Sequence, residues 1–175
     1  MAPRWEYGAP FCLIVAGFPA TGCPFSGILL TAPGQCFGGI PMAIELRPIG
    51  YVRSPYQKPG DAPRQGRLSD TVSEIVIDPA YRDGLLDIEE KKHLFVLCWF
   101  DRADRTTLRA VPPQDTAEHG VFAIRSPDRP NPVSICVVDL LGVKDGVLRV
   151  RGLDAYDGTP VIDIKPFFAD LDSPA

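Results

Sequence analysis

Short apolar segments at regular spacing constrain this chain more than any other feature of its sequence. In residues 147–152, for example, Leu148 and Val150 alternate with Arg149 and Arg151. Alternation with a period of two is typical of β-strands that bury one face. By this criterion the sequence predicts eight strands, at 44–53, 73–78, 94–101, 107–111, 120–125, 135–143, 146–153 and 160–165.

Proline content limits how much helix the chain can form. The 175 residues include 19 prolines, about twice the average share, and proline disrupts helix interiors. The one helical candidate, 79–91, is interrupted by Gly84. Asp145 and Gly146 predict a tight hairpin turn between two strands. We therefore expect a mainly β fold, a small barrel or strongly curved sheet with one short helix and long ordered loops.

Residues 1–41 differ in composition from the rest of the chain. They hold one basic residue, Arg4, and one acidic residue, Glu6. Their apolar run FCLIVAGF is too short to cross a bilayer, and it lacks the flanks of a secretory signal. Met42 stands just before the first predicted strand. We expect residues 1–41 to be a disordered or artefactual extension and residues 42–175 to form one barrel domain.

Several common signatures of cofactor and metal sites are absent from the sequence. It has no P-loop, no G-x-G-x-x-G after a strand and no H-E-x-x-H motif, which argues against a Rossmann-type cofactor domain. His93 and His119 lie at strand edges with no Cys or His at ligand spacing, so we expect no metal. Five cysteines without a C-x-x-C pair favour free buried thiols and a reducing, cytoplasmic setting.

Three polar segments stiffened by proline are the candidates for a binding site. Any one of them is explained equally well as a solvated loop, but rigid polar loops on a β scaffold often form sites. Carboxylates suit hydroxyl and ammonium groups of a ligand, and guanidinium groups suit phosphate or carboxylate. Together they fit a nucleoside-bearing ligand beside an anionic one. The segments are DAPRQGR at 61–67, RSPDRPNP at 125–132 and GLDAYDGTPVIDIKP at 152–166.

Four stretches in the same order resemble the TrmO (YaeB, or TsaA-like) family of S-adenosylmethionine-dependent tRNA methyltransferases. They are IGYVRSPY, PRQ, GVFAIRSPDRPNPV and LDAYDGTPVIDIKPF, and the resemblance covers about residues 46–168. It implies a small β-barrel unrelated to the Rossmann methylases, and a homodimer with the cofactor near the subunit interface. It also implies a reaction, methylation of the position-6 nitrogen of threonylcarbamoyladenosine at position 37 of tRNA, beside the anticodon.

The same resemblance implies which residues form the cofactor pocket. The nitrogen that is methylated must lose a proton, and Asp157 is the weak candidate for its acceptor. Arg129, Asn131 and Lys165 are candidates for contact with the substrate's carboxylate or with tRNA phosphates. The residues implied for S-adenosylmethionine are Pro63, Arg64, Gln65, Asp101, Arg102, Arg125, Ile135, Asp154, Ala155, Tyr156 and Asp157.

Two features of the sequence leave alternatives open. Ser134 stands where the family usually has glycine, which adds a side chain where backbone is expected to approach the cofactor. The net charge is −4, so RNA binding requires a local basic patch. The alternatives are methylation of a small molecule or another RNA, and a non-catalytic module that senses the cofactor. RNA would be favoured by a positively charged stripe on the surface that leads to the pocket. Its expected members are Arg109, Arg125, Arg129 and Arg151.

Overall fold

Short strands make up most of the part of the chain that the structure describes. The computed structural model describes residues 28–30, 36–37, 40–41 and 44–173. The α-helix α1 is Ala169–Asp172, and 3-10 helices occur at Gly66–Leu68, Pro79–Leu85, Ile88–Glu90 and Val121–Ala123. The strands are β1 Ile28–Leu30, β2 Cys36–Phe37, β3 Ile40–Pro41, β4 Ile44–Leu46, β5 Gly50–Arg53, β6 Val72–Ile77, β7 His93–Trp99, β8 Arg109–Ala110, β9 His119–Gly120, β10 Val133–Lys144, β11 Val147–Arg151 and β12 Pro160–Pro166.

Six of these strands close into a barrel in the order β10, β11, β6, β5, β12, β7. All the pairs within it are antiparallel. Three small antiparallel pairs lie apart from the barrel, β1 with β4, β2 with β3, and β8 with β9. The prediction of a mainly β barrel is therefore confirmed. Within the described ranges, no helix is long and apolar enough to cross a membrane.

The period-two alternation that predicted the strands also builds the barrel's core. Ile75 and Ile77 of β6 point inward, as do Leu148 and Val150 of β11, and all four are buried. Strands β10 and β12 each contain a register shift, which bends the strand and helps a small sheet to close on itself. The outward-facing residues of the same strands are left free to line sites on the barrel's surface.

Most of the predicted barrel strands match those of the structure. The predictions at 73–78, 94–101, 135–143, 146–153 and 160–165 correspond to β6, β7, β10, β11 and β12. The hairpin between β10 and β11 turns at Asp145 and Gly146, where φ is 53° and 80°. Both values lie in the left-handed region that an Asp-Gly turn requires, so this prediction is confirmed.

Other element predictions are wrong in part. The strand predicted at 44–53 is two strands, β4 and β5, because Pro48 between them lacks the N–H that a ladder needs. The helix predicted at 79–91 is two 3-10 helices, Pro79–Leu85 and Ile88–Glu90, and Asp87 between them has a φ of 63°. Helix α1 was not predicted.

The strands predicted at 107–111 and 120–125 shrink to the two-residue pair of β8 and β9. Val121–Ala123 forms a 3-10 turn instead, because this segment has no barrel strand beside it and its carbonyl groups bond to a side chain, described below. The expected extension at 1–41 falls largely on residues outside the described ones, and it stays a prediction.

Leu148→Ala tests the core, and Leu141→Ala on the neighbouring strand is its matched control. Leu148 is fully buried in the core cluster, whereas Leu141 is 46% exposed. We expect Leu148→Ala to lower the free energy of unfolding in urea by about 2–5 kcal/mol, because a cavity remains. Leu141→Ala should change it by less than about 1 kcal/mol. Equal losses would contradict the assignment of the barrel interior.

Candidate functional site

A cavity of about 300 Å³ opens on the outer face of the barrel, over β7 and β10. Its apolar wall is formed by Phe95 of β7, by Ile135 and Val137 of β10, and by Phe167 just after β12. The alternation of β10 turns Ile135 and Val137 outward, and the register sets Val137 opposite Phe95. The ring of Phe167 meets that of Phe95 edge to face, with 5.4 Å between centroids.

A polar rim completes this cavity. Gln65 and Arg67 come from the segment before β6, Arg125 from the proline-rich loop before β10, and Asp154 from the loop after β11. Arg125 donates a hydrogen bond of 3.3 Å to Oε1 of Gln65, which ties two of these loops together. The cavity therefore combines flat apolar walls with guanidinium, amide and carboxylate groups, as sites for small cofactors do.

Asp154 fixes the segment 65–68 against the barrel. Its Oδ2 accepts a hydrogen bond of 3.0 Å from the backbone N–H of Gly66. Its Oδ1 accepts one of 3.0 Å from Sγ of Cys136 in β10. Each carboxylate oxygen has a second lone pair, so Asp154 can accept a further hydrogen bond from a ligand.

Gly66 is required for this close approach. A Cβ at this position would lie 1.9 Å from the backbone oxygen of Gly152, a distance that no side chain tolerates. The backbone of the segment therefore packs directly against the start of the loop 152–159. This contact explains why glycine follows Gln65 in the sequence.

The thiols beside the cavity are structural rather than reactive. Cys98 and Cys136 are buried free cysteines on the inner faces of β7 and β10. Burial raises the pKa of Cys98 to about 12, and burial with the neighbouring charge of Asp154 also raises the pKa of Cys136. Both remain protonated at neutral pH, so Cys136 serves as the donor to Asp154 and not as a nucleophile.

Asp139 organises the charges next to the cavity. Its Oδ1 accepts hydrogen bonds from Arg67 (3.2 Å) and from Nδ1 of His93 (2.9 Å). Its Oδ2 accepts two from Arg151, at 3.1 and 2.8 Å. Partial burial opposes ionisation of Asp139, but the hydrogen bond from Arg151 and the charge of Arg67 hold the pKa of its carboxyl below the usual value. Asp139 thereby holds Arg67 at the rim of the cavity.

Four of the residues implied for the cofactor come together in the cavity: Gln65, Arg125, Ile135 and Asp154. The others do not line it. Arg64 is exposed and donates to the side chain of Gln114. Arg102 donates to the backbone oxygens of Gln57 (3.3 Å) and Asp157 (3.2 Å). Asp101 lies in an exposed turn, Ala155 is buried in the core, and Pro63 and Tyr156 are half-buried.

The three candidates for substrate contact are engaged in different ways. Arg129 donates three hydrogen bonds to carbonyl groups of its own loop, at Val121, Ile124 and Ser126, over 2.5–2.9 Å. This guanidinium ties the proline-rich loop to both ends of the 3-10 turn at 121–123. Lys165 forms an exposed ion pair with Asp163, and Asn131 is exposed.

Ser134 does not project into the cavity. It lies on the inner side of β10, and its Oγ accepts a hydrogen bond of 3.2 Å from the backbone N–H of Cys98. The alternation that turns Ile135 outward turns Ser134 inward. The side chain that the sequence adds in place of glycine is therefore accommodated on the inner side of β10 and does not line this cavity.

Several lining residues were missed from the sequence, although the alternation and the quoted motifs contained a signal for them. Arg67 follows Gln65 within DAPRQGR, and Phe167 ends the last motif. Val137 shares an outward face with Ile135, and only the strand register brings Phe95 next to it. That register could not be read from one sequence.

A second, wider opening of about 580 Å³ lies across β5, β6 and β11. We call it the groove. Its lining includes Tyr51 and Arg53 of β5, Glu74 of β6 and Arg149 of β11, with Asp157 beside them. Oδ1 of Asp157 accepts a hydrogen bond of 3.0 Å from the backbone N–H of Ser54. The candidate proton acceptor therefore lies in the groove and not in the cavity.

No metal centre is formed within residues 44–173 or the short strands before them: no three side chains of His, Cys, Asp or Glu cluster there as metal ligands do. Of the arginines expected to form a stripe, Arg109 pairs with Glu118 at 3.6 Å and Arg129 is bonded within its loop. These two do not extend the cavity's basic rim.

Comparison with known proteins shows where this architecture recurs. The chain is 56% identical over 127 residues to the S-adenosyl-L-methionine-binding protein of Archaeoglobus fulgidus, over 73% of this chain and 91% of that protein. It is 35% identical over 137 residues to the mouse tRNA (adenine(37)-N6)-methyltransferase, over 74% of this chain and 31% of that protein. The crystal structure of TrmO from Pseudomonas aeruginosa is similar, with a TM-score of 0.66 and 34% identity, covering 77% of this chain and 60% of the other.

The chain spans only part of several relatives. A second Archaeoglobus fulgidus relative, a probable S-adenosyl-L-methionine-binding protein, is 55% identical over 75% of this chain, and that match covers 36% of the relative. The family model of the tRNA-methyltransferase O N-terminal domain matches residues 51–173, which include the whole barrel except the start of β5. This chain belongs to the family of the tRNA-methyltransferase O N-terminal domain.

Proposed function

We propose that this protein is an S-adenosylmethionine-dependent methyltransferase that acts on tRNA, at the position-6 nitrogen of threonylcarbamoyladenosine beside the anticodon. The observation that carries the proposal is the coincidence of two results. The family model covers the barrel, and Gln65, Arg125, Ile135 and Asp154, which the motifs implied for the cofactor, line one cavity. The mouse relative is named for methylation of adenine at the same nitrogen and position.

The residues around the cavity fit the chemistry of S-adenosylmethionine. The cofactor carries an adenine ring, ribose hydroxyls, an ammonium group and a carboxylate. Phe95 and Phe167 offer ring faces and edges for the adenine. The free lone pairs of Asp154 suit hydroxyl or ammonium donors, and Arg125 suits the carboxylate.

S-adenosylmethionine supplies an electrophilic methyl group when it is bound. The transfer is an in-line displacement, so the protein contributes chiefly by holding the two reactants in position. In this proposal Asp154 and Arg125 orient the cofactor from the rim, and the apolar wall of Phe95 and Ile135 excludes water. Asp157 lies in the adjoining groove, three residues after Asp154 on the same loop, and we propose it as the acceptor of the proton that leaves the attacking nitrogen once the substrate bridges the two sites. Its hydrogen bond from Ser54 fixes one oxygen and leaves the other as the acceptor.

We also propose that the active form is a homodimer in the cytoplasm. The side chain of Ile135 is 55% exposed and that of Val133 is 39% exposed on the outer face of β10. Exposed apolar side chains next to an open cavity are suited to cover by a second subunit. The free thiols of Cys98 and Cys136 suit a reducing compartment.

The reaction is tested by incubating the protein with S-adenosylmethionine labelled in its methyl group and with tRNA that carries unmethylated threonylcarbamoyladenosine. We expect label in that nucleoside by mass analysis. A preparation that binds the cofactor and leaves the nucleoside unlabelled contradicts the proposal. Label in another nucleoside or a small molecule would support the first alternative. Cofactor binding without any methyl transfer would support the sensing module, an alternative that the name of the Archaeoglobus relative also fits.

The cavity assignment is tested by Arg125→Ala, with Arg109→Ala as control. Arg125 lines the cavity, whereas Arg109 forms an exposed ion pair with Glu118 away from it. We expect Arg125→Ala to weaken S-adenosylmethionine binding about ten- to hundredfold by calorimetry, because a hydrogen bond to a charged group is worth about 1.5–3 kcal/mol. Arg109→Ala should bind as the wild type does. An unchanged affinity in Arg125→Ala would move the cofactor out of this cavity.

A further inference from the structure

We propose that the groove binds a segment of single-stranded RNA, and that a line of arginines, Arg53, Arg149, Arg151 and Arg67, guides this RNA to the cavity. We call these four residues the arginine track. The inference rests on the proposed function, because it takes the substrate to be RNA and the cavity to hold the cofactor. It assigns a role in RNA binding to the outer face of β5, β6 and β11.

Strand register creates the first part of the track. Arg53 of β5 and Arg149 of β11 both lie opposite Glu74 of β6, on the outward face of three adjacent strands. Neighbouring strands are about 4.8 Å apart, so the two arginine backbones are about 10 Å apart across the groove. The guanidinium groups flank a single carboxylate, which leaves this row positive on a chain whose net charge is −4.

The second part of the track connects the groove to the cavity. Arg151 follows Arg149 by two residues on the same face of β11, about 7 Å further along the strand. Arg151 and Arg67 both bond to Asp139, and Arg67 lines the cavity. The hydrogen bond to Asp139 and the negative charges of Asp139 and Asp70 raise the pKa of Arg151. With Asp157, which lines the same groove, the carboxylates of Glu74, Asp139 and Asp70 equal the four arginines in number. The positive charge available to RNA is therefore concentrated at Arg149, which has no carboxylate partner among the described residues.

The groups at the groove can exchange their present partners for RNA. The ion pair between Arg53 and Glu74 is long, at 3.4 Å, and half-exposed, so it contributes little to stability. Among the residues that the structure describes, Arg149 makes no ion pair or side-chain hydrogen bond, and it is exposed. An RNA phosphate therefore displaces only weak interactions when it binds here.

The groove also offers a surface on which a base can stack. The guanidinium of Arg53 lies over the ring of Tyr51, with 5.9 Å to the ring centroid, and it donates to the tyrosine hydroxyl at 3.3 Å. A guanidinium plane held in this way is a stacking platform for an unpaired base. This favours a single-stranded loop over a duplex, whose bases are already stacked.

One loop connects the two sites. Asp154 lines the cavity and Asp157 lines the groove, and three residues of chain span at most about 11 Å. Of the two carboxylate oxygens of Asp157, Oδ1 accepts a hydrogen bond from Ser54, and Oδ2 accepts none from the described residues. Oδ2 is therefore left for a donor on the RNA. The loop 154–157 therefore links the groove to the cavity.

The experiment compares RNA binding by wild type, Arg149→Ala, Arg149→Lys and Arg109→Ala. The probe is a fluorescein-labelled tRNA that carries unmethylated threonylcarbamoyladenosine, and its anisotropy is measured between 50 and 200 mM salt. We expect Arg149→Ala to weaken binding about fivefold at the lowest salt. It should also reduce the slope of log affinity against log salt by about 0.7–0.9, the value for one phosphate contact. Arg149→Lys should restore the slope, and Arg109→Ala should behave as wild type.

The contrary results distinguish a failure of this inference from a failure of the proposed function. If wild type methylates RNA and Arg149→Ala keeps its affinity and slope, the track is overturned and the proposed function stands. If wild type binds S-adenosylmethionine but no RNA, both are overturned. Equal losses in Arg149→Ala and Arg109→Ala would show general electrostatic attraction and overturn the track. A change in oligomeric state in Arg149→Ala with an unchanged slope would place a second copy in the groove and overturn it as well.

Discussion

The candidate site depends on the hydrogen bonds that the carboxylate of Asp154 accepts. This carboxylate bonds on one side to the backbone of Gly66 and on the other to the thiol of Cys136 in the barrel wall. It is one of two polar links between the segment that carries Gln65 and Arg67 and β10, the other being the bond from Arg67 to Asp139. The absence of a side chain at Gly66 lets the link through Asp154 be short. Removing the acceptor leaves a buried donor unpaired, which costs about 1–3 kcal/mol.

In the barrel, the direction of each side chain decides whether it packs in the core or lines a binding site. Inward-facing residues of β6, β7, β10 and β11 fill the core, and outward-facing residues of the same strands line the cavity and the groove. Because successive side chains point to opposite sides, one sequence pattern specifies both. Binding residues can vary on the outside while the interior remains packed.

The strand pattern and the motifs were sufficient to predict the barrel and four cavity residues. They failed where three-dimensional neighbours decide the outcome. Residues 120–125 have the composition of a strand, but the guanidinium of Arg129 takes their carbonyl groups. Phe95 lines the cavity because the pairing of β7 with β10 sets it opposite Val137, and one sequence does not reveal that pairing. Arg53 and Arg149 are brought to one face only by their shared register with Glu74, which their separation along the chain did not indicate.

The central claim is that the cavity beside Asp154 binds S-adenosylmethionine. Hydrogen exchange of the backbone amides, with and without saturating cofactor, tests it most directly. We expect slower exchange at residues 65–68 and 152–155, where the backbone borders the cavity and Gly66 donates to Asp154. Residues 51–54 should exchange at the same rate in both samples, since they border the groove. Protection confined to residues 51–54, or protection nowhere in a sample that binds the cofactor, would place S-adenosylmethionine outside the cavity.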